Sequence, residues 1–227
     1  MLKNVRYLLA LLALGLVVWG AYLGLVWAPP DREMGDVQRI MYVHVPAMEM
    51  SLLAMTLNFL CSVLYLFRPR WTTDSLAEAF AEVGLFFGAY GLVLGSVWGK
   101  PTWGTYWTWD PRLTSMAIGL AAYAGYLALR HFVDDAERRA VWSAVVAIII
   151  AVDVPIIYMS VRWWRSLHQM QSSPKTVDPL MVSALRWNFL AYFVLFVVFV
   201  MARYAIARAR RQQETAAPPL VLETLAS

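Results

Sequence analysis

The sequence predicts an all-α, polytopic membrane protein with six transmembrane helices, both termini in the cytoplasm and a tryptophan-rich segment on the opposite face. Hydrophobic residues make up 60% of the 227 and charged residues only 15%, with a mean hydropathy of +0.55. A soluble domain carries about 25% charged residues. Six apolar stretches each supply the roughly 20 residues a helix needs to cross the bilayer hydrocarbon. They should be helical because lipid offers backbone groups no hydrogen-bond partner.

The first span, 7–27, follows Lys3 and Arg6 and ends in Trp27-Ala28-Pro29-Pro30. It is longer than a signal-peptide core and has no small-x-small cleavage pattern, so it reads as a retained anchor. The second, 43–67, carries His44 at its mouth, Glu49 about a turn and a half deeper, and Cys61. The third covers 77–98. Asp110-Pro111 opens the fourth, 111–130, because Asp is a favoured N-cap and Pro a favoured first helical residue. The fifth, 140–161, holds Asp153 just before Pro155. The sixth, 183–204, runs into the basic stretch Arg203–Arg211. Residues 1–211 thus form one domain, and 212–227, polar and proline-containing, a mobile cytoplasmic tail.

Cytoplasmic termini place Lys3, Arg6, Arg68, Arg70, Arg130, Arg138, Arg139, Arg203, Arg208, Arg210 and Arg211 inside, a modest excess of the 19 Lys and Arg in the sense of the positive-inside rule. Arg32, Arg39, Lys100, Arg112, Arg162, Arg165, Lys175 and Arg186 fall outside, against that rule, and an anionic ligand is one reason to hold them there.

The single cysteine excludes an internal disulfide, a Cys-x-x-Cys metal site and thioether attachment of haem. The net charge of +4 comes from residues at span ends and forms no basic patch of the kind nucleic acid requires. No nucleophile–base pair, P-loop or zinc motif is present, so the chain does not read as an enzyme.

The outward segments are 28–42, 99–110 and 162–182. Gly99, Pro101, Gly104 and Pro111 argue against a long helix in the middle one, which should lie on the membrane surface as a loop or short helix. It reads WGTYWTWDPRLTS from Trp103 to Ser115. Interfacial belts also gather Trp and Tyr, but Trp98, Trp103, Tyr106, Trp107 and Trp109 are denser than a belt and suit a large planar ligand. His44 and His168 lie on this same face, while His131 lies on the other. Imidazole is a common axial ligand of haem iron. Arg112, Arg162, Arg165 and Lys100 are candidates for its propionates, since a guanidinium fork matches a carboxylate; each also fits the role of an interfacial anchor. Asp110 has a second candidate role orienting Arg112. The intramembrane acids Glu49 and Asp153 face the bundle interior, and the backbone freed by Pro155 is a candidate partner for Asp153.

Together RIMYVHVPA (39–47), WGTYWTWDPRLTS (103–115) and VPIIYMSVRWWRSLHQ (154–169) resemble the CcmC family, haem-handling proteins of cytochrome c maturation that carry the tryptophan-rich WWD motif. The resemblance implies a bacterial inner-membrane protein that holds haem b non-covalently and transiently at the periplasmic face, between His44 and His168. It also implies delivery to the haem chaperone CcmE and partnership with the ABC-transporter pair CcmA and CcmB and the small protein CcmD. The chain departs from the family pattern at Glu49, where an apolar or aromatic residue is expected, and at Pro111, where a small one is. A haem b electron-transfer subunit and a membrane subunit of a haem exporter are the alternative functions.

Overall fold

A computed structural model describes residues 2–168 and 177–216. Among them are seven α-helices: α1 (Leu2–Tyr22), α2 (Met41–Phe67), α3 (Trp71–Trp103), α4 (Pro111–Phe132), α5 (Ala136–Ile150), α6 (Asp153–Trp163) and α7 (Pro179–Ala216). No strand occurs among the described residues. Five stretches are long and apolar enough to cross a membrane: Asn4–Trp27, Asp36–Phe67, Trp71–Trp103, Ala136–Trp163 and Pro179–Glu214.

The fourth expected span is a helix, α4, but it is not one of those five. Its polar residues point inward: Ser115, Tyr123, Tyr126 and Arg130 are buried at helical spacing while Ile118 is exposed. Tyr123 donates to Met55 O at 3.3 Å and contacts Asn58 Oδ1 at 3.3 Å, and Asn58 Nδ2 donates to Ala77 O at 2.8 Å. These bonds satisfy polar groups that lipid would leave unpaired, and they lower the helix's average hydropathy without exposing it.

Two expectations need correcting. The segment after the third span is not irregular from Gly99 onward. Helix α3 runs through Gly99 and Pro101 to Trp103 and stops at Gly104, whose φ of 80° closes the helix with its N–H on Lys100 O at 3.0 Å. Pro101 stands in the last turn, where it withholds one backbone donor from Val97 O and the helix ends within three residues. The fifth span, in turn, is broken. Residues 151–152 separate α5 from α6, just upstream of Pro155, which cannot donate back to residue 151. Asp153 packs against α4, where a Cβ on Gly119 would lie 2.6 Å from its Oδ2. That oxygen is buried with no hydrogen-bond partner among the described residues, so the freed backbone does not serve it. At the C-terminus α7 continues to Ala216; the rest of the expected tail, 217–227, lies outside the described residues.

Helices α2 and α3 form the most extensive contact of the bundle. Ser51 Oγ donates to Gly84 O at 2.8 Å across it, the close approach that small residues allow between membrane helices. Two buried clusters fill the interior. One joins α2, α3, α4, α5 and α6 around Met55, Met116 and Tyr123. The other joins α2, α3 and α7 around Val83, Phe87 and Phe196.

Candidate functional site

His44 stands in the first turn of α2 and leans on α3. Its Nδ1 lies 2.8 Å from Gly91 O. A carbonyl only accepts, so Nδ1 carries the hydrogen and Nε2 keeps its lone pair. This is the arrangement that orients a metal-ligating imidazole. Gly95 makes the approach possible, because a Cβ there would sit 2.8 Å from His44 Cε1. The Trp98 ring meets the imidazole edge-on, with centroids 5.8 Å apart.

His168 is held by a clasp centred on Asp110. As predicted, Asp110 caps α4: its Oδ1 accepts Arg112 N–H at 2.9 Å. Its Oδ2 accepts Ser166 Oγ–H at 2.8 Å and Leu167 N–H at 2.7 Å, and Ser166 Oγ accepts His168 N–H at 3.0 Å. The carboxylate is only 6% exposed. Burial works to raise its pKa, but the bonds from Leu167, Ser166 and Arg112 N, with nearby His168, outweigh burial and hold it below the ordinary value. His168 Nδ1 faces Asp110 Oδ1 at 3.4 Å without reaching hydrogen-bond geometry. Burial, aided by Arg112 and His44, pushes His168 down to about 4 despite Asp110. It is therefore neutral near pH 7, the state in which imidazole binds a metal.

Between the two histidines the aromatic segment turns back on itself. Trp103 meets His168 edge-on, centroids 4.9 Å apart. Trp107 and Trp109 are perpendicular at 5.9 Å, and Trp109 is 82% exposed. Thr105 Oγ1 donates to Trp107 O at 3.0 Å, and Ser96 Oγ donates to Tyr106 O at 2.5 Å. Among the described residues Trp98 Nε1 and Thr108 Oγ1 are buried without a partner, so polar capacity is left over here that a ligand could use.

The four basic candidates differ. Lys100 donates to Gly104 O at 3.0 Å and lies over the Tyr106 ring, which ties it to the turn. Arg162 and Arg165 are exposed at and beyond the end of α6. Arg112 alone sits amid Glu49, Asp110 and Tyr158 and acts on both histidines. Its guanidinium has no hydrogen bond among the described residues. Glu49 also lines a cleft of about 390 Å³ between α2 and α6, with Leu52, Leu53, Thr56, Val154, Pro155 and Tyr158. The residues that sequence reasoning missed are Gly91, Gly95 and Ser166. The Gly91/Gly95 spacing, one helical turn on α3, was a readable signal for a close neighbour; Ser166 offered none.

Fold and site together define a helical membrane protein that presents two imidazoles and a group of indoles at one end of its bundle. The family model for heme exporter protein C matches residues 1–217, and the chain belongs to that family. Heme exporter protein C of Escherichia coli is 35% identical over 196 residues, covering 86% of this chain and 80% of the relative. The Bradyrhizobium diazoefficiens protein of that name is 37% identical over 179 residues, covering 77% and 68%. A putative cytochrome c biosynthesis ccmC-like mitochondrial protein of Marchantia polymorpha is 36% identical over 184 residues, covering 81% and 76%.

Proposed function

We propose that the chain holds haem b at the periplasmic end of a six-span bundle with cytoplasmic termini and delivers it to CcmE, working beside CcmA, CcmB and CcmD in the bacterial inner membrane. The observation that carries this reading is the His44 Nδ1–Gly91 O bond, which leaves Nε2 available, with a neutral His168 close enough to feel His44. In this reading the two imidazoles are the axial ligands. Trp103, Trp107 and Trp109, with Trp98 and Tyr106 beside them, give the ring its flat contact. Arg112 meets a propionate, because its donors are unengaged and it lies nearer the histidines' field than Arg162, Arg165 or Lys100. Asp110 holds the 166–168 loop in place. The exposure of Trp109 supports transfer, since a ligand with one open edge can pass to another protein.

The test is the visible spectrum of the protein purified from haem-replete membranes, beside His44→Ala and His168→Ala. The expected result is a bis-imidazole haem spectrum that is altered or lost in both variants. Full haem content with an unaltered spectrum in both would remove the ligand assignment.

A further inference from the structure

The opposite end of the bundle holds a second polar site that the haem reading does not use. Helix α4, of 22 residues, carries Asp110 at one end and Arg130 at the other, about 30 Å apart at the α-helical rise. Around Arg130 a cavity of about 370 Å³ opens between α3, α4, α5 and α7. Four guanidiniums line it, Arg130, Arg139, Arg210 and Arg211, against three carboxylates, Asp74, Glu78 and Glu214.

Every one of the three carboxylates is engaged twice. Asp74 takes Arg130 at 2.8 Å and Arg211 at 3.2 Å; Glu78 takes Arg130 at 2.9 Å and Arg210 at 3.0 Å; Glu214 takes Arg139 at 2.6 Å and Arg211 at 3.0 Å. One positive charge is left over. A guanidinium also carries more donors than a carboxylate's pairing consumes. Arg130, 7% exposed, keeps its Nε donor buried and unpartnered. The Arg210 side chain is 55% exposed and, among the described residues, contacts Glu78 through Nη1 alone. Exposed Phe67, Trp71 and Phe132 lie at this same end, and Trp is enriched at the level of lipid headgroups.

We infer that this cavity binds the phosphate headgroup of an anionic phospholipid, with Arg210 as the accessible donor, Arg139 as a nearby positive charge and Arg130 as the buried donor. Basic pockets between membrane helices on the cytoplasmic side take such headgroups, and the interfacial aromatics favour a lipid over a free phosphate. The inference stands independently of haem.

The experiment uses the full chain, delipidated in detergent, and measures Tm with added phosphatidylglycerol, phosphatidylcholine or inorganic phosphate. Ligand that binds only the folded state raises Tm. Phosphatidylglycerol should raise it by several degrees and the other two should not. Arg210→Gln and Arg139→Gln should each lose most of that rise, while Arg208→Gln, on α7 outside the cavity, should keep it. Equal effects of the two lipids, or a full rise in both cavity variants, would overturn the site. An equal rise with inorganic phosphate alone would overturn the lipid assignment.

Discussion

The two ends of the bundle treat their polar groups in opposite ways. At the Arg130 end, each carboxylate closes on two guanidiniums, which joins α3, α4, α5 and α7 and leaves one positive charge over. At the His44 end, the Arg112 guanidinium, Trp98 Nε1 and Thr108 Oγ1 stand without hydrogen-bond partners among the described residues, and Trp109 is exposed. Groups that hold a fold together find their partners inside the chain. Groups that hold a ligand must be positioned by the chain and left unspent. The difference predicts that substitutions among the buried paired groups of the Arg130 end act on stability, and substitutions at the His44 end act on haem.

The largest effect is expected at Arg130. Replacing it by Ala strips Asp74 and Glu78 of a shared partner inside the bundle, and breaking a buried pair from one side costs roughly 3–5 kcal/mol. Equilibrium unfolding in detergent measures it. Folded protein that survives should still show the wild-type haem spectrum. A spectrum altered in the folded fraction would break the comparison.

Asp110 is next, because it belongs to both kinds of end. Asp110→Ala removes a helix N-cap, about 1 kcal/mol, and releases Ser166 and Leu167. Stability should fall modestly, whereas His168 ligation should fall sharply and leave a spectrum with one imidazole. Unfolding and visible spectroscopy on the same sample separate the two losses. Stability loss with intact two-imidazole ligation would mean that the clasp does not position His168.

Gly95→Ala sharpens the comparison further. Alanine is the better helix former by about 1 kcal/mol, so α3 should hold or gain stability. The new Cβ would lie 2.8 Å from His44 Cε1, so the imidazole must move off Gly91 O. Haem content should drop while the unfolding midpoint holds or rises. Unchanged haem content would show that the tight seat of His44 is not needed.

What the sequence made legible follows the same division. Five of the apolar runs were readable because each is long and apolar enough to cross a bilayer by itself, and His44, His168 and the tryptophans because their chemistry is in the side chain. Gly91 O was not readable, since a carbonyl belongs to no residue type and its use depends on which helix packs beside it. Asp74 and Glu78 gave no signal in the sequence, because their partner Arg130 lies more than fifty positions along the chain and meets them only when α4 packs on α3. The extension of α3 through Pro101 was missed because the composition of 99–104 argues locally for a loop, whereas the helix can end on a proline-containing turn closed by Gly104. The α5–α6 break sits upstream of Pro155, as a lost backbone donor requires, but a continuous hydrophobic run conceals it.

The smallest effect is a pH window, and its sign comes from His168. Its ordinary value is 6.5 and its folded value is about 4. Above 6.5 the imidazole is neutral in folded and unfolded chains alike and contributes no pH dependence. Between about 6.5 and 4 the unfolded chain takes up a proton that the folded chain refuses, so stability of the haem-free protein falls as pH is lowered through this range. The ligand itself stays neutral in the folded protein, so haem should be retained from pH 7 to about 5 and released near 4, where the proton competes for the iron-binding nitrogen. A haem-retention titration read at the Soret band checks this. In Asp110→Asn the carboxylate that favours the charged imidazole is gone, so any folded variant that still binds haem should release it at a lower pH than wild type. Release near 6.5 in the wild type would mean that His168 is solvated as an ordinary surface histidine, and that its end of the bundle is no more preorganised than a loop.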